Sequence, residues 1–413
     1  MGFNLLKNVK VIFFLNWQIV LFIMLIAKVV FVGLSEQTPK IFEDQDIAIN
    51  LYKTGEMFYL NDGVINHSFQ FPFYPFLLFV LYSFFGLNLK VAIIFNVLLS
   101  SASAIFIYKF SILYFKRKMN KHFKKIAVYS SLASMIYPFT NIYAFESIHP
   151  FSMNLFLLVF FLYVSELWIQ QKIKLYWLAL VFSVLLVQRS SLFFIGLFFL
   201  WETKALWRVY LRKNILILLL SLILPLLWMS RNYYWDKMFS MTSTSGKILW
   251  KGGLVQSDGS NYIEGDSNYT LFFTEEMKKN MCFLSVKQQN NLFKNEAIKN
   301  LFEHPKKSFI HYFVKLKGFF FFRKNIGQEY PNYLTYLFLY KVIYIVILFS
   351  SVFFVSRNPK YLGIVIPFLF LGLFHSVFYV ETRHRIIYEP IFIMLSIAAF
   401  VEIKYFTKKL ITL

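Results

Sequence analysis

About ten apolar stretches, separated by short loops rich in Lys and Arg, constrain this chain more than any motif it carries. They run at about 11 to 34, 91 to 115, 126 to 145, 150 to 168, 176 to 188, 190 to 202, 214 to 229, 334 to 355, 361 to 380 and 386 to 402. A helix needs ~20 residues to cross the hydrocarbon core, and most of the stretches reach that length or come near it. Inside lipid every backbone N–H and C=O must find a partner within the protein, so segments of this kind cross as helices. The expected fold is an all-α polytopic membrane protein, a bundle of about ten transmembrane helices. The two stretches flanking Arg189 are short and fit a broken hairpin that does not cross fully on each pass.

Composition agrees. The chain has 413 residues, 58% of them hydrophobic and only 15% charged, against about 25% charged in an average soluble domain. A net charge of +22 would ordinarily raise nucleic acid as a partner. Here the basic residues fall in short runs between apolar stretches and form no single patch, so no nucleic-acid partner is expected. Cys282 is the one cysteine, which excludes an intramolecular disulfide framework and a thiolate metal cluster. Lys7 and Lys10 precede the first stretch, which is too long for a signal-peptide core and lacks a small-residue cleavage site; it should stay as the first span.

Basic residues in short loops mark the cytoplasmic side. KRKMNKHFKK (116 to 125), QQKIK (170 to 174), the stretch from Lys204 to Lys213, SRNPK (356 to 360) and the C-terminal KYFTKK fall by parity on one side together with both termini. The opposite, external side receives the segment 35 to 90, the turn ETRHR (381 to 385) and a long region from about Arg231 to Pro331. Three regions follow: residues 1–229 with the external loop 35–90, a large external region 230–333 with interfacial helices, and C-terminal spans in 334–413. In the loop, Ile47, Leu51 and Tyr52 have helical spacing closed by Gly55, as in a helix lying along the membrane surface. In the large region, helical patterning covers Leu292 to Phe302 and resumes after Pro305, a residue suited to a first helical turn. HPKKSFIHYFVKLKGFFFF alternates Lys with apolar groups, as a helix at headgroup level would. Neither an internal repeat nor a strand-rich domain is apparent.

Few places in so basic and apolar a chain can hold a working carboxylate. Glu43, Asp44 and Asp46 cluster at the start of the external loop. Closely spaced carboxylates raise one another's pKa, which suits one of them to act as a base near neutral pH. A solvated acidic face that merely obeys topology is the plainer alternative. Arg189, at the end of LLVQRSS, lies near membrane depth, where an ionised residue is costly; it could hold a phosphate, pair with a carboxylate, or snorkel to the interface. Arg231 carries the same ambiguity. Arg383 and Arg385 flank His384, and a fork of donors suits phosphate oxygens, with interfacial anchoring as the alternative. The seven His residues are scattered without HExxH spacing, so no metal site is expected, and His149, His375 and His384 read as packed or interfacial. Phosphate loops of the GxGxxG and GKS types are absent and Gly252-Gly253 reads as a turn, which disfavours a nucleotide-sugar donor.

Taken in order, the acid cluster after the first span, AINLYKTG, the Pro-aromatic run ending in FFG, SRNYY with STSGKILWKGG, and ETRHRIIYEP resemble the GT-C superfamily of glycosyltransferases. The likeness extends over about residues 10 to 400 and is nearest to enzymes using a polyprenyl-phosphate sugar, such as lipid A aminoarabinose transferases and protein O-mannosyltransferases. It implies a GT-C-like bundle with external juxtamembrane helices in the cytoplasmic membrane of a bacterium. It also implies metal-independent, inverting transfer without a cofactor, from a polyprenyl-phosphate sugar to a lipid, glycan or protein acceptor, with a first-loop Asp as base. Ile47 stands where such enzymes carry an aromatic, so the resemblance leaves open which of Glu43, Asp44 and Asp46 serves. The acid these enzymes carry near their fourth span has its counterpart here in Glu146, just before HPFSMN. Two other classes share parts of the pattern: a lipid-linked saccharide flippase or transporter, and a polysaccharide polymerase or ligase. The first would show paired repeats and mid-membrane charges; the second would depend on Arg and His of the large external region.

Overall fold

The computed structural model describes residues 17–36, 38–61, 63–119, 121–204, 207–254, 273, 281–322 and 334–411. Lys7, Lys10, the Gly-, Ser- and Asp-rich stretch 257 to 268 and the side chain of Cys282 lie outside the described residues. Helices dominate, as the hydropathy pattern predicts. Five are long and apolar enough to cross a membrane: Trp17–Leu34, Leu89–Lys118, Phe151–Ile169, Val209–Asp236 and Phe338–Arg357. They mark the chain as an all-α membrane protein. The shorter apolar helices Phe73–Phe85, Leu175–Gln188, Ser190–Glu202 and Pro359–His375 rise only roughly 20 to 25 Å at ~1.5 Å per residue, less than a ~30 Å hydrocarbon core.

Prolines account for the interruptions. The expected span 126 to 145 is two helices, Phe123–Ile136 and Pro138–Glu146. Tyr137 precedes the proline and takes ψ 115, because the ring disfavours helical geometry in the residue before it. The stretch Val209–Asp236 divides at Leu222 into Trp207–Ser221 and Ile223–Asp236, where Pro225 has no N–H to offer the Ser221 carbonyl.

Leu89–Lys118 and Phe151–Ile169 run through the core, with Phe110, Tyr114, Leu158 and Phe161 buried between them and their neighbours. Small residues allow close packing: Ser131 Oγ donates to the Ala104 carbonyl at 2.7 Å across two helices. Trp17–Leu34 lies at the periphery with Phe22, Ile23 and Phe31 exposed, a face suited to lipid. Lys28 in that helix turns inward and donates to Asn141 Oδ1 at 2.7 Å.

Among the described residues, strand structure is limited to two small pairings. Lys40–Ile41 runs parallel to Ser147–Ile148, with Lys40 opposite Ser147, and Tyr59–Asn61 runs antiparallel to Val64–Asn66. The first pairing ties the start of the acidic segment to the helix Phe151–Ile169. That segment forms the helix Glu43–Thr54, closed by Gly55 at φ +78 with its N–H donating to the Leu51 carbonyl at 3.0 Å, a left-handed cap that glycine adopts without strain. Pro305–Phe320 begins on its proline as expected. It exposes Phe309, Ile310 and Phe313 beside Lys306, Lys307 and Lys317, the pattern of an interfacial helix.

Two sets of loops gather at separate places. Lys118 Nζ donates to the Lys360 carbonyl at 3.0 Å and Lys360 Nζ to that of Lys118 at 2.7 Å, so the basic loops 116 to 125 and 356 to 360 adjoin. The acidic segment, the residues after Arg231 and the ETRHR turn gather around a cavity.

Candidate active site

Glu43, Asp44 and Asp46 occupy the first turn of the helix Glu43–Thr54, where the helix N-terminus favours negative charge. Successive helical residues point ~100° apart, so the three cannot share one direction. Asp44 is 3% exposed, whereas Asp46 faces solvent. Glu43 and Asp44 line a cavity of ≈ 430 Å³. Burial first, and then the neighbouring Glu43, push the Asp44 carboxyl up to about 8, against the opposing pull of its own backbone N–H and of Arg383. Near neutral pH such a group can both accept and release a proton.

Three other segments supply the facing wall. Arg189 caps the helix Leu175–Gln188, where the chain turns extended (φ −160, ψ 99) before the short helix from Ser190. The two short stretches are thus separate helices, and the break between them lies at the cavity. Arg189 Nε donates to Ser191 Oγ at 3.3 Å, and no ion pair to this arginine occurs among the described residues. Arg383 opens the helical turn Arg383–Ile386, pairs with Glu381 and bonds Tyr379. His384 accepts the Glu381 N–H on Nδ1 at 3.3 Å and stacks on His375 with ring centroids 4.4 Å apart. His149 also lines the cavity. Burial, then Arg383 and Arg189, hold its imidazole well below its ordinary pKa, so it is neutral at pH 7.

A polar brace fixes the remaining wall, residues 240 to 245. Asn232 Nδ2 donates to the Ser240 and Met241 carbonyls at 2.9 and 3.2 Å, Trp228 Nε1 donates to Met241 at 2.9 Å, and Ser243 Oγ donates to Asn66 Oδ1 at 3.0 Å. Two glycines permit close approach: a Cβ on Gly246 would lie 2.2 Å from the Asn290 carbonyl oxygen, and one on Gly252 2.1 Å from that of Phe378. Gly252 and Gly253 end the helix Ser245–Gly253 instead of forming the expected turn.

The structure thus brings together Glu43, Asp44, Arg189, Arg383 and His384 and leaves out three residues singled out from sequence, besides Asp46. Arg231 reaches the His67 carbonyl and, at 2.9 Å, that of Met57, while lying over the Trp228 ring; it holds the loop in place. Arg385 does not join Arg383 in a clamp. It is 1% exposed and bonds the Phe319 and Phe321 carbonyls, Tyr340 and Glu389, because residues two apart in a helical turn face nearly opposite ways. Glu146 is half-buried near Lys40 and does not line the cavity. Sequence reasoning passed over Asn154 and Gln188 and read His149 and His375 as packed or interfacial; all four line it. Position beside Arg189 was the only signal for Gln188. No protein-family model, no curated protein and no solved structure matches the chain.

Proposed function

We propose that this chain is a membrane glycosyltransferase that takes a sugar from a polyprenyl phosphate and delivers it to a lipid, glycan or protein acceptor at the external face. The observation that carries the reading is the cavity in which a buried carboxyl of raised pKa, Asp44, faces arginines from two distant segments, one of which, Arg189, makes no ion pair among the described residues. Its volume of ≈ 430 Å³ suits a sugar with its phosphate.

In the proposed reaction Arg189 and Arg383 hold the donor phosphate, on which negative charge grows as the glycosidic bond breaks. Asp44, ionised, takes the proton of an acceptor hydroxyl whose oxygen forms the new bond to the anomeric carbon. The phosphate departs with the electron pair of the broken carbon–oxygen bond, and a single displacement inverts the anomeric centre. The arginines supply the positive charge, so turnover is expected to persist in EDTA. His149, neutral at pH 7, offers hydrogen-bonding surface beside His384. About ten passes with both termini cytoplasmic place the cavity at the outer leaflet of a bacterial cytoplasmic membrane; the meeting of loops 116 to 125 and 356 to 360 supports that side assignment.

The test is mass spectrometry of envelope lipids and glycans from cells with and without the protein. The proposal expects a polyprenyl monophosphate sugar to accumulate and one external sugar to disappear. An unchanged monophosphate pool with accumulation of a diphosphate-linked saccharide would replace it with the polymerase or ligase class.

A further inference from the structure

Deep in the cavity wall two neutral amides form a unit of their own. Asn154 stands in the first turn of Phe151–Ile169 and Gln188 is the last residue of Leu175–Gln188; each is 2% exposed and each lines the cavity. Gln188 Nε2 donates to Asn154 Oδ1 at 3.0 Å. Gln188 Oε1 has no hydrogen-bond partner among the described residues, and neither does Asn154 Nδ2. Exchanging the oxygen and nitrogen of both amides would reverse the shared bond and leave the same surplus, one amide donor and one carbonyl acceptor. An unpaired amide at this depth is unfavourable in an empty site and strongly recognising in an occupied one.

We infer that the Asn154–Gln188 pair is the sugar-recognising element of this cavity and selects a neutral, hydroxyl-bearing sugar. The inference rests on the transferase reading and names the class of its donor. A sugar hydroxyl both donates and accepts, so neighbouring hydroxyls match one free donor and one free acceptor. A carboxylate only accepts and would meet the carbonyl unfavourably; an ammonium only donates and would meet the NH2 group. Gln188 directly precedes Arg189 in sequence, and both line the cavity, which sets hydroxyl recognition beside the phosphate-holding cation.

Binding to the full-length chain in nanodiscs tests this with short-chain prenyl monophosphates: one bare, others carrying glucose, galactose or mannose, one carrying glucuronic acid and one carrying 4-amino-4-deoxyarabinose. At least one neutral hexose conjugate should bind about tenfold more tightly than the bare phosphate and than either charged conjugate. Gln188→Leu should abolish that gain, a loss of about tenfold, and leave the bare phosphate unaffected, which also reports that the variant is folded. Equal or better binding of a charged sugar, or a hexose gain that survives Gln188→Leu, overturns the inference while bare-phosphate binding keeps the transferase reading. Failure of every phosphate to bind overturns both. If Gln188→Leu does not fold, the comparison of conjugates on the unaltered chain decides alone.

Discussion

Two charged clusters in this molecule differ in one respect. At the C-terminal end of the helix Leu89–Lys118, Arg117 grips Glu166 with two bonds of 2.6 and 2.7 Å and Glu202 with a third of 2.9 Å, while Lys118 reaches Glu202 at 2.7 Å. Both carboxylates are fully buried there, and two cations meet two anions. Around the cavity, Arg383 has Glu381, but among the described residues the Arg189 side chain bonds only a serine hydroxyl, and Asp44 holds its proton to about pH 8. A sealed cluster joins helices; the open one, in our proposal, holds a ligand. Composition and position do not separate them, since each contains arginine at the end of an apolar helix. Pairing does.

The largest expected effect breaks the open cluster. Asp44→Asn should lower transfer by ~10²- to 10⁴-fold, the usual range for a lost general base, while Asp46→Asn, exposed and outside the cavity, should leave it nearly unchanged. Equal losses in both variants would mean that the cavity does not discriminate the two acids.

Next comes the sealed cluster. Glu166→Gln leaves Arg117 without its bidentate partner and should reduce stability by roughly 3 kcal/mol, seen as a fall in Tm and yield. Arg385→Lys should behave alike, because lysine lacks the planar fork that reaches Phe319, Phe321 and Tyr340. Arg383→Lys should keep Tm and lose turnover. An inactive but stable Arg385→Lys would return that residue to the site.

The last effect concerns pH. Asp44 titrates at about 8 in the folded chain against an ordinary 3.8, so the folded state holds the proton more tightly. Its contribution to stability is complete below the unfolded value and is lost as pH rises through the folded one. Thermal unfolding in detergent should therefore show stability declining between about pH 4 and 8, with a shallower decline in Asp44→Asn, which should be the more stable protein at pH 8. In the unaltered protein kcat/KM should rise with pH over the upper part of that window, since the base must be ionised. A flat rate profile would remove Asp44 as base.

Much of the frame was legible in the sequence because it rests on local rules. Helical spacing plus Gly55 foretold the helix Glu43–Thr54, and Pro305 opened the helix it was expected to open. The apolar stretches became apolar helices. What escaped depends on rotation and on partners. Three acids in one turn read as one cluster until helical geometry sent Asp44 inward and Asp46 outward. Arg383 and Arg385 read as a fork until the turn separated them. Pro138 split an expected span that looks continuous by hydropathy. Gln188 gave no signal beyond its place next to Arg189, since the amide that completes its pair, Asn154, lies 34 positions earlier.

The most direct test of the central claim, that the open cluster holds a phosphate beside a base, is an experimental structure of the full-length chain in nanodiscs with a short-chain prenyl monophosphate. The account predicts phosphate density within hydrogen-bond reach of both Arg189 and Arg383, with Asp44 facing the position a sugar would take, and loss of that density in Arg189→Gln. A headgroup bound elsewhere, or one that stays in place when Arg189 is replaced, would contradict it.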